Sequence, residues 1–151
     1  MQRRLAATLL VLLAACSARP ETPEEKVRAV LTAVEKAAED RDVAALLEHV
    51  SESYRDARGN DRQALAQLAT FHFLQNRGVH LFVEIRQVVV EIPGEARAAA
   101  VVAMAGRPIA SAEALPSLHA SLYYFDVELR EEAGGWRIVR ATWSPATIDD
   151  F

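Results

Sequence analysis

Apolar residues recur along the chain at two different periods, and the switch between them divides it into a helical half and a strand half. Val27, Val30, Leu31 and Val34, followed by Ala37 and Ala38, fall on one stripe of a helix that runs to about Glu39. Thr22-Pro-Glu-Glu25 marks its start: Thr22 is placed as N-cap, Pro23 fits the first turn, and Glu25 can complete a capping box. Asp42 can cap a second, shorter helix whose buried side is Val43, Leu46, Leu47 and Val50. Ser51 to Gly59 reads as an irregular polar stretch. Asn60-Asp-Arg-Gln63 offers a further capping pattern, and Leu65, Leu68, Ala69 and His72 share a face of a third helix that Gly78 should stop.

From Val79 the period changes to two. Val79, Leu81, Val83 and Ile85 lie on one side, whereas Val88, Val90 and Ile92 have the opposite parity. A parity switch inside one strand predicts a bulge near Arg86 or Gln87, and with it a strongly bent sheet. Pro93-Gly94 turns the chain into Ala96–Ala105, a strand of mostly small side chains. A loop with Pro108 and Pro116 follows. Leu118–Glu131 then reads as the longest strand, with Tyr123, Phe125, Val127 and Leu129 on one face and Asp126, Glu128 and Arg130 on the other. Gly134-Gly135 closes a hairpin onto Trp136–Trp143. The expected fold is therefore α+β: N-terminal helices packed in a strongly curved antiparallel sheet of about four strands.

Composition narrows the picture. The 151 residues carry 51% hydrophobic and 25% charged side chains, which suits one globular domain. A formal net charge of −4 argues against a nucleic-acid partner. The chain has a single cysteine, so no disulfide can form within it.

That cysteine stands at an informative place. Arg3 and Arg4 form a positive segment, Leu5 to Leu13 form an apolar run too short to span a bilayer, and Leu13-Ala14-Ala15-Cys16 follows. The arrangement resembles a bacterial lipoprotein signal peptide with its lipobox. The resemblance implies cleavage before Cys16 and acylation of that residue, which would hold the protein at a membrane. Residues 1–15 are then the signal peptide, 16–22 a lipidated cysteine and short tether, 23–147 the folded domain and 148–151 a C-terminal tail. Ser17 after the cysteine implies the outer membrane, facing the periplasm. Without residues 1–15 the chain carries 15 basic and 21 acidic side chains, a net of −6, so the domain should stand off an anionic lipid surface.

Three helices, then strands, then a terminal Gly-Gly-Trp hairpin resemble the nuclear transport factor 2-like superfamily. Ser51-Glu-Ser-Tyr54-Arg-Asp56, Asn60 through Phe73, and Asp126 through Val139 carry the resemblance. It implies a cone-shaped, cystatin-like α+β domain whose curved sheet wraps a long helix. Relatives bind small molecules or perform acid–base chemistry inside the cone, and pair through the sheet. His72, His119, Ser121, Tyr123, Tyr54 and Trp143 are the candidate cavity residues, and the small-residue strand 96–105 is a candidate homodimer surface. The ketosteroid isomerase-like and polyketide cyclase-like branches would make the protein a small acid–base enzyme using a cavity histidine. Against that, the first helix lacks the tyrosine those isomerases use there, and Asp126 and Glu128 alternate with the apolar set, so they should face solvent.

No glycine pattern for a nucleotide and no His-Glu-x-x-His zinc motif occurs, so neither a cofactor nor a metal is expected. The reading that results is a membrane-anchored binding module for a small apolar molecule or a protein partner, with the acid–base enzyme as its alternative. Replacement of Cys16 by alanine is expected to abolish both membrane fractionation and the acyl mass increment. A wild-type protein showing neither would overturn the anchor.

Overall fold

The computed structural model describes residues 19–151; Leu13, Ala14, Ala15 and Cys16 lie outside the described residues. The chain runs through α1 (Pro23–Glu39), α2 (Val43–Glu48), β1 (Val50–Asp56), α3 (Arg62–Gln75), β2 (His80–Ile92) and β3 (Glu95–Ala105). A 3-10 turn and the one-turn helix α4 (Leu115–Leu118) lead to β4 (Ser121–Glu132) and β5 (Gly135–Pro145), and a 3-10 turn at Ile148–Asp150 ends the fold.

The start of α1 follows from its local sequence. The Glu25 amide donates to the Thr22 hydroxyl at 3.2 Å, and the Thr22 amide donates to the Glu25 carboxylate at 2.7 Å. Once the helix is fixed there, its stripe is aimed at the sheet, and Val27 is wholly buried in a cluster with Val50, Tyr54, Ala96, Leu129, Trp136 and Ile138. Val30, Leu31 and Val34 pack around that cluster.

The five strands form one sheet in the order β1-β5-β4-β3-β2. All neighbours are antiparallel except β1 and β5. Two bulges keep its inner face apolar. In β2, Ile85 opposes Ala100 and Gln87 opposes Ala99, so Arg86 is the extra residue. Leu81, Val83 and Ile85 therefore share a face with Val88, despite the change of parity. In β5, Ile138 opposes Leu129 and Arg140 opposes Glu128, which leaves Val139 as the extra residue. Ile138 before it and Ala141 and Trp143 after it then all face inward with the odd-numbered residues of β4.

Several expectations are corrected. Ser51 to Gly59 is not wholly irregular: β1 occupies Val50–Asp56 and gives the sheet a fifth strand, parallel to β5. The strand expected from Leu118 begins at Ser121, because Leu115–Leu118 is helical with Pro116 in its first turn. At 13 residues β2, not β4, is the longest strand. Asp61, rather than Asn60, caps α3, accepting from the Ala64 amide at 2.8 Å. The helix ends at Asn76 rather than Gly78, where the Asn76 side chain donates to the His72 carbonyl at 2.8 Å.

The Ala-rich strand is not a bare surface. Ala96, Ala98 and Ala100 are buried on the inner face, and Val101, Ala103 and Ala105 are buried on the other. Phe82 lies beside Ala103 on that second face, and the C-terminal Phe151 ring packs against it at 6.2 Å. Small side chains here suit a central strand covered on both sides.

Asp56, at the end of β1, is the buried charge of the fold. Its carboxylate accepts from the Arg58 amide at 2.8 Å, the Asn60 amide at 2.9 Å and the Asn60 side-chain amide at 2.7 Å. Burial pushes its pKa up, but the hydrogen bonds from Asn60 and Arg58, together with the Arg58 charge, outweigh it and hold the carboxyl below its ordinary value. Asp56→Ala should cost about 2 kcal/mol at neutral pH, the range for hydrogen bonds to a charged group. A depressed folded-state pKa contributes stability that is present above the unfolded value of ~3.9 and lost as pH falls through the folded value. Urea denaturation of both proteins should therefore show their stabilities converging on acidification below about pH 4.

Candidate functional site

Burial along the inner face of the sheet is graded. At one end Leu129, Trp136 and Ile138 are buried with Tyr54 and Val27. Towards the other end, Phe125, Tyr123, Trp143, Val102 and Met104 are only half-buried, although the alternation of β3, β4 and β5 places them on the same face. The cone is thus filled at its narrow end and lined by incompletely covered aromatic rings at its wide end.

Those rings form one group. Phe125 and Trp143, opposite each other on β4 and β5, stack with centroids 6.0 Å apart and planes at 28°. Tyr123, the next inward residue, meets Phe125 edge-on at 6.2 Å. Arg58 completes the group, its guanidinium carbon 5.1 Å from the centroid of the Trp143 ring. The turn closed by Asp56 positions Arg58, since the Arg58 amide is one of the donors to that carboxylate. A cluster of half-buried rings with a cation seated over one of them offers apolar surface beside a positive charge, which favours an apolar ligand that carries negative charge.

The other candidates divide. His72 lies half-buried on α3, its Nδ1 3.4 Å from the Asn76 side-chain nitrogen and its ring edge-on to Phe73 at 6.1 Å. Tyr54 sits in the core, 2% exposed, where burial reinforced by the Asp56 charge pushes its phenol up to about 12. Ser121 is exposed at the first position of β4, opposite Met104. His119 is exposed just before that strand, in the left-handed conformation with φ of 52°. No hydrogen bond or ring contact joins it to His72 among the described residues. Trp143 and Tyr123 are therefore the expected cavity residues that the fold brings together.

Two members of the aromatic group, and one titratable side chain on α1, escaped the sequence reading. Phe125, assigned to the right face, is the ring that joins Tyr123 to Trp143. Arg58 carried no signal, because its place depends on a turn. Glu35, on the flank of the α1 stripe, is half-buried; burial and then the neighbouring Glu39 charge push its carboxyl above the ordinary range.

Asp126 and Glu128 are on the outer face, as their alternation predicts. There Glu128 stands between Arg97 and Arg140 in one cross-strand row, beside a depression of about 330 Å³ floored by Ala99. Among the described residues no group of three His, Cys, Asp or Glu is placed to hold a metal ion. No helix among them is long and apolar enough to cross a membrane.

No protein-family model and no curated protein matches the sequence. Solved structures do resemble it. A protein of the NTF2-like family from Streptomyces avermitilis superposes with a TM-score of 0.67 at 17% identity, over 85% of this chain and 99% of that one. A ketosteroid isomerase-like protein from Erwinia carotovora atroseptica gives 0.62 at 16% identity, over 82% and 96%. Bd1075 of Bdellovibrio bacteriovorus gives 0.61 at 11% identity; the match covers 80% of this chain and only 40% of that longer protein. The domain thus has the NTF2-like, cystatin-like α+β fold.

Proposed function

We propose that the protein is a lipid-anchored binding module of the bacterial cell envelope, held through Cys16 and facing the periplasm, which takes a small apolar molecule in the wide end of the cone. The observation that carries the binding role is the incompletely covered aromatic group of Tyr123, Phe125 and Trp143 with Arg58 over its edge. Large rings left half-buried on a concave face favour a ligand that finishes their burial. Arg58 favours a ligand with a carboxylate or other anionic group over a neutral one. Around the aromatic group, from Ser121 to Val127 on β4 and on the strands beside it, the inner face presents no ionisable side chain beyond the Tyr123 phenol, and Asp126 and Glu128 face outward, which favours binding over acid–base chemistry. The anchor rests on the charged segment, apolar run and lipobox of the sequence, and the outer membrane on Ser17.

Native mass spectrometry of the protein purified gently from its host envelope tests this reading. A reproducible adduct of ligand mass is expected, and a clean unliganded mass would sink the small-molecule role and shift weight to a protein partner. Trp143→Ala should weaken retention of the adduct about tenfold, the scale of one lost aromatic stack. Arg58→Gln should weaken retention of an anionic ligand while sparing a neutral one.

A further inference from the structure

The third helix has an unusual outer side. No side chain of α3 is buried, and Leu68, Phe71 and Leu74 are 50%, 61% and 81% exposed. They stand three residues apart along the helix and curve away from Leu65, which packs against the core cluster, so that the face expected to hold Leu65 and Leu68 together has only Leu65 on the core. Only two other large hydrophobic side chains among the described residues are as free, Ile92 and Ile148, and each stands alone on a different element. The exposed polar residues beside them, Gln67, Thr70 and Gln75, are all uncharged.

Charge sets the same helix apart. The chain has 21 acidic residues, yet none falls between positions 62 and 83. Arg62 begins the helix and Arg77 follows it, while Arg41 reaches its C-terminal end by donating to the Asn76 carbonyl at 3.4 Å. In a domain that is net acidic, α3 is an apolar strip with a cationic C-terminal end, while Arg62 at its start is paired with Glu52 at 3.1 Å. Helices that lie in the surface of an anionic bilayer combine these two properties.

The chain's own attachment brings a bilayer within reach. Six residues lie between Cys16 and Pro23, the first residue of α1, a span of at most ~25 Å from one to the other. At the start of α3 the Arg62 side chain donates to the carbonyls of Leu47 and Val50. Val50 belongs to the core cluster that also holds Val27, in the early part of α1. The start of α3 and the early part of α1, where the tether ends, are thus joined through Val50.

The geometry points to α3 as a membrane-docking helix that lays Leu68, Phe71 and Leu74 into the acyl boundary of the leaflet anchoring Cys16, with Arg77 beyond its C-terminal end at headgroup level. This rests on the anchor proposed above, and it revises the expectation that net acidity keeps the domain away from lipid. The acids at the start of the helix, Glu52 and Asp61, are paired with Arg62 at 3.1 Å and Arg55 at 3.9 Å, and short-range screening leaves the local charge in control.

Tryptophan quenching tests the docking. Full-length protein carrying Phe71→Trp or, as control, Ile92→Trp is reconstituted into phosphatidylethanolamine–phosphatidylglycerol vesicles containing brominated lipid in excess. Signal from the native tryptophans is subtracted using the unsubstituted protein. Phe71→Trp should be quenched several-fold more than Ile92→Trp, and Leu74→Glu added to it should remove the difference. Equal quenching of the two positions would overturn the docking. So would a blue shift of Phe71→Trp that needs no lipid and grows with protein concentration, because a second copy would then cover the helix. The intact mass of the same preparation decides the acylation of Cys16 separately, so failure of the anchor and failure of the docking are read from different signals.

Discussion

A curved sheet with a helix against one face must keep that face apolar along every strand, and in this protein two supernumerary residues make that possible. Were Arg86 paired in regular alternation instead of bulged, β2 would turn either Leu81, Val83 and Ile85 or Val88 away from α1. Were Val139 paired in the same way, β5 would aim Ile138 and Trp143 at opposite sides. The two irregularities lie on either side of the covered central strand β3 and are staggered along it, one opposite Ala99 and Ala100, the other near the row of Arg97. Extra residues of this kind bend and twist the strands that carry them, so the device that preserves the core face also favours the cone shape.

The polar end of β1 joins this architecture to the aromatic group. Asp56 is buried and bonded to a turn only four residues long, and that turn carries Arg58 over Trp143. The indole is held from beneath by Phe125, whose place comes from β4, so the site combines a local turn with a long-range strand pairing. Trp136, one bulge earlier on the same strand, has the opposite fate. It is buried in the narrow end, with its indole nitrogen lacking a hydrogen-bond partner.

What could be read from the sequence was what is written locally. The Thr22–Glu25 box contains both members of its reciprocal bonds within four residues, and the bulge in β2 shows because valines and leucines lie on both sides of the parity change. The bulge in β5 is hidden because Val139 is itself apolar: Ile138, Val139 and Ala141 offer no clean alternation to interrupt. Strand β1 was illegible for another reason. Its buried positions include Ser51 and Asp56, which are satisfied by hydrogen bonds to Ser53, Glu132 and Asn60, and its partner strand lies more than eighty residues away. Tyr123 and Trp143 were found through alternation, whereas His119 was misplaced because Leu-Pro-Ser-Leu forms a helical turn rather than the start of a strand.

Arg86 has one more effect, on the way the molecule meets its own kind. Strand β2 is an edge of the sheet, and the outward amides and carbonyls of its thirteen residues would offer a long template for a neighbouring chain. The inserted residue breaks that template into two shorter runs of opposite phase, so an incoming strand in register with one is out of register with the other. The Arg86 side chain also holds the C-terminal tail, donating to the Asp150 carbonyl, and pairs with Glu84 at 2.9 Å. Charge, a tethered tail and a broken hydrogen-bonding rhythm thus protect the exposed margin of the sheet against edge-to-edge aggregation.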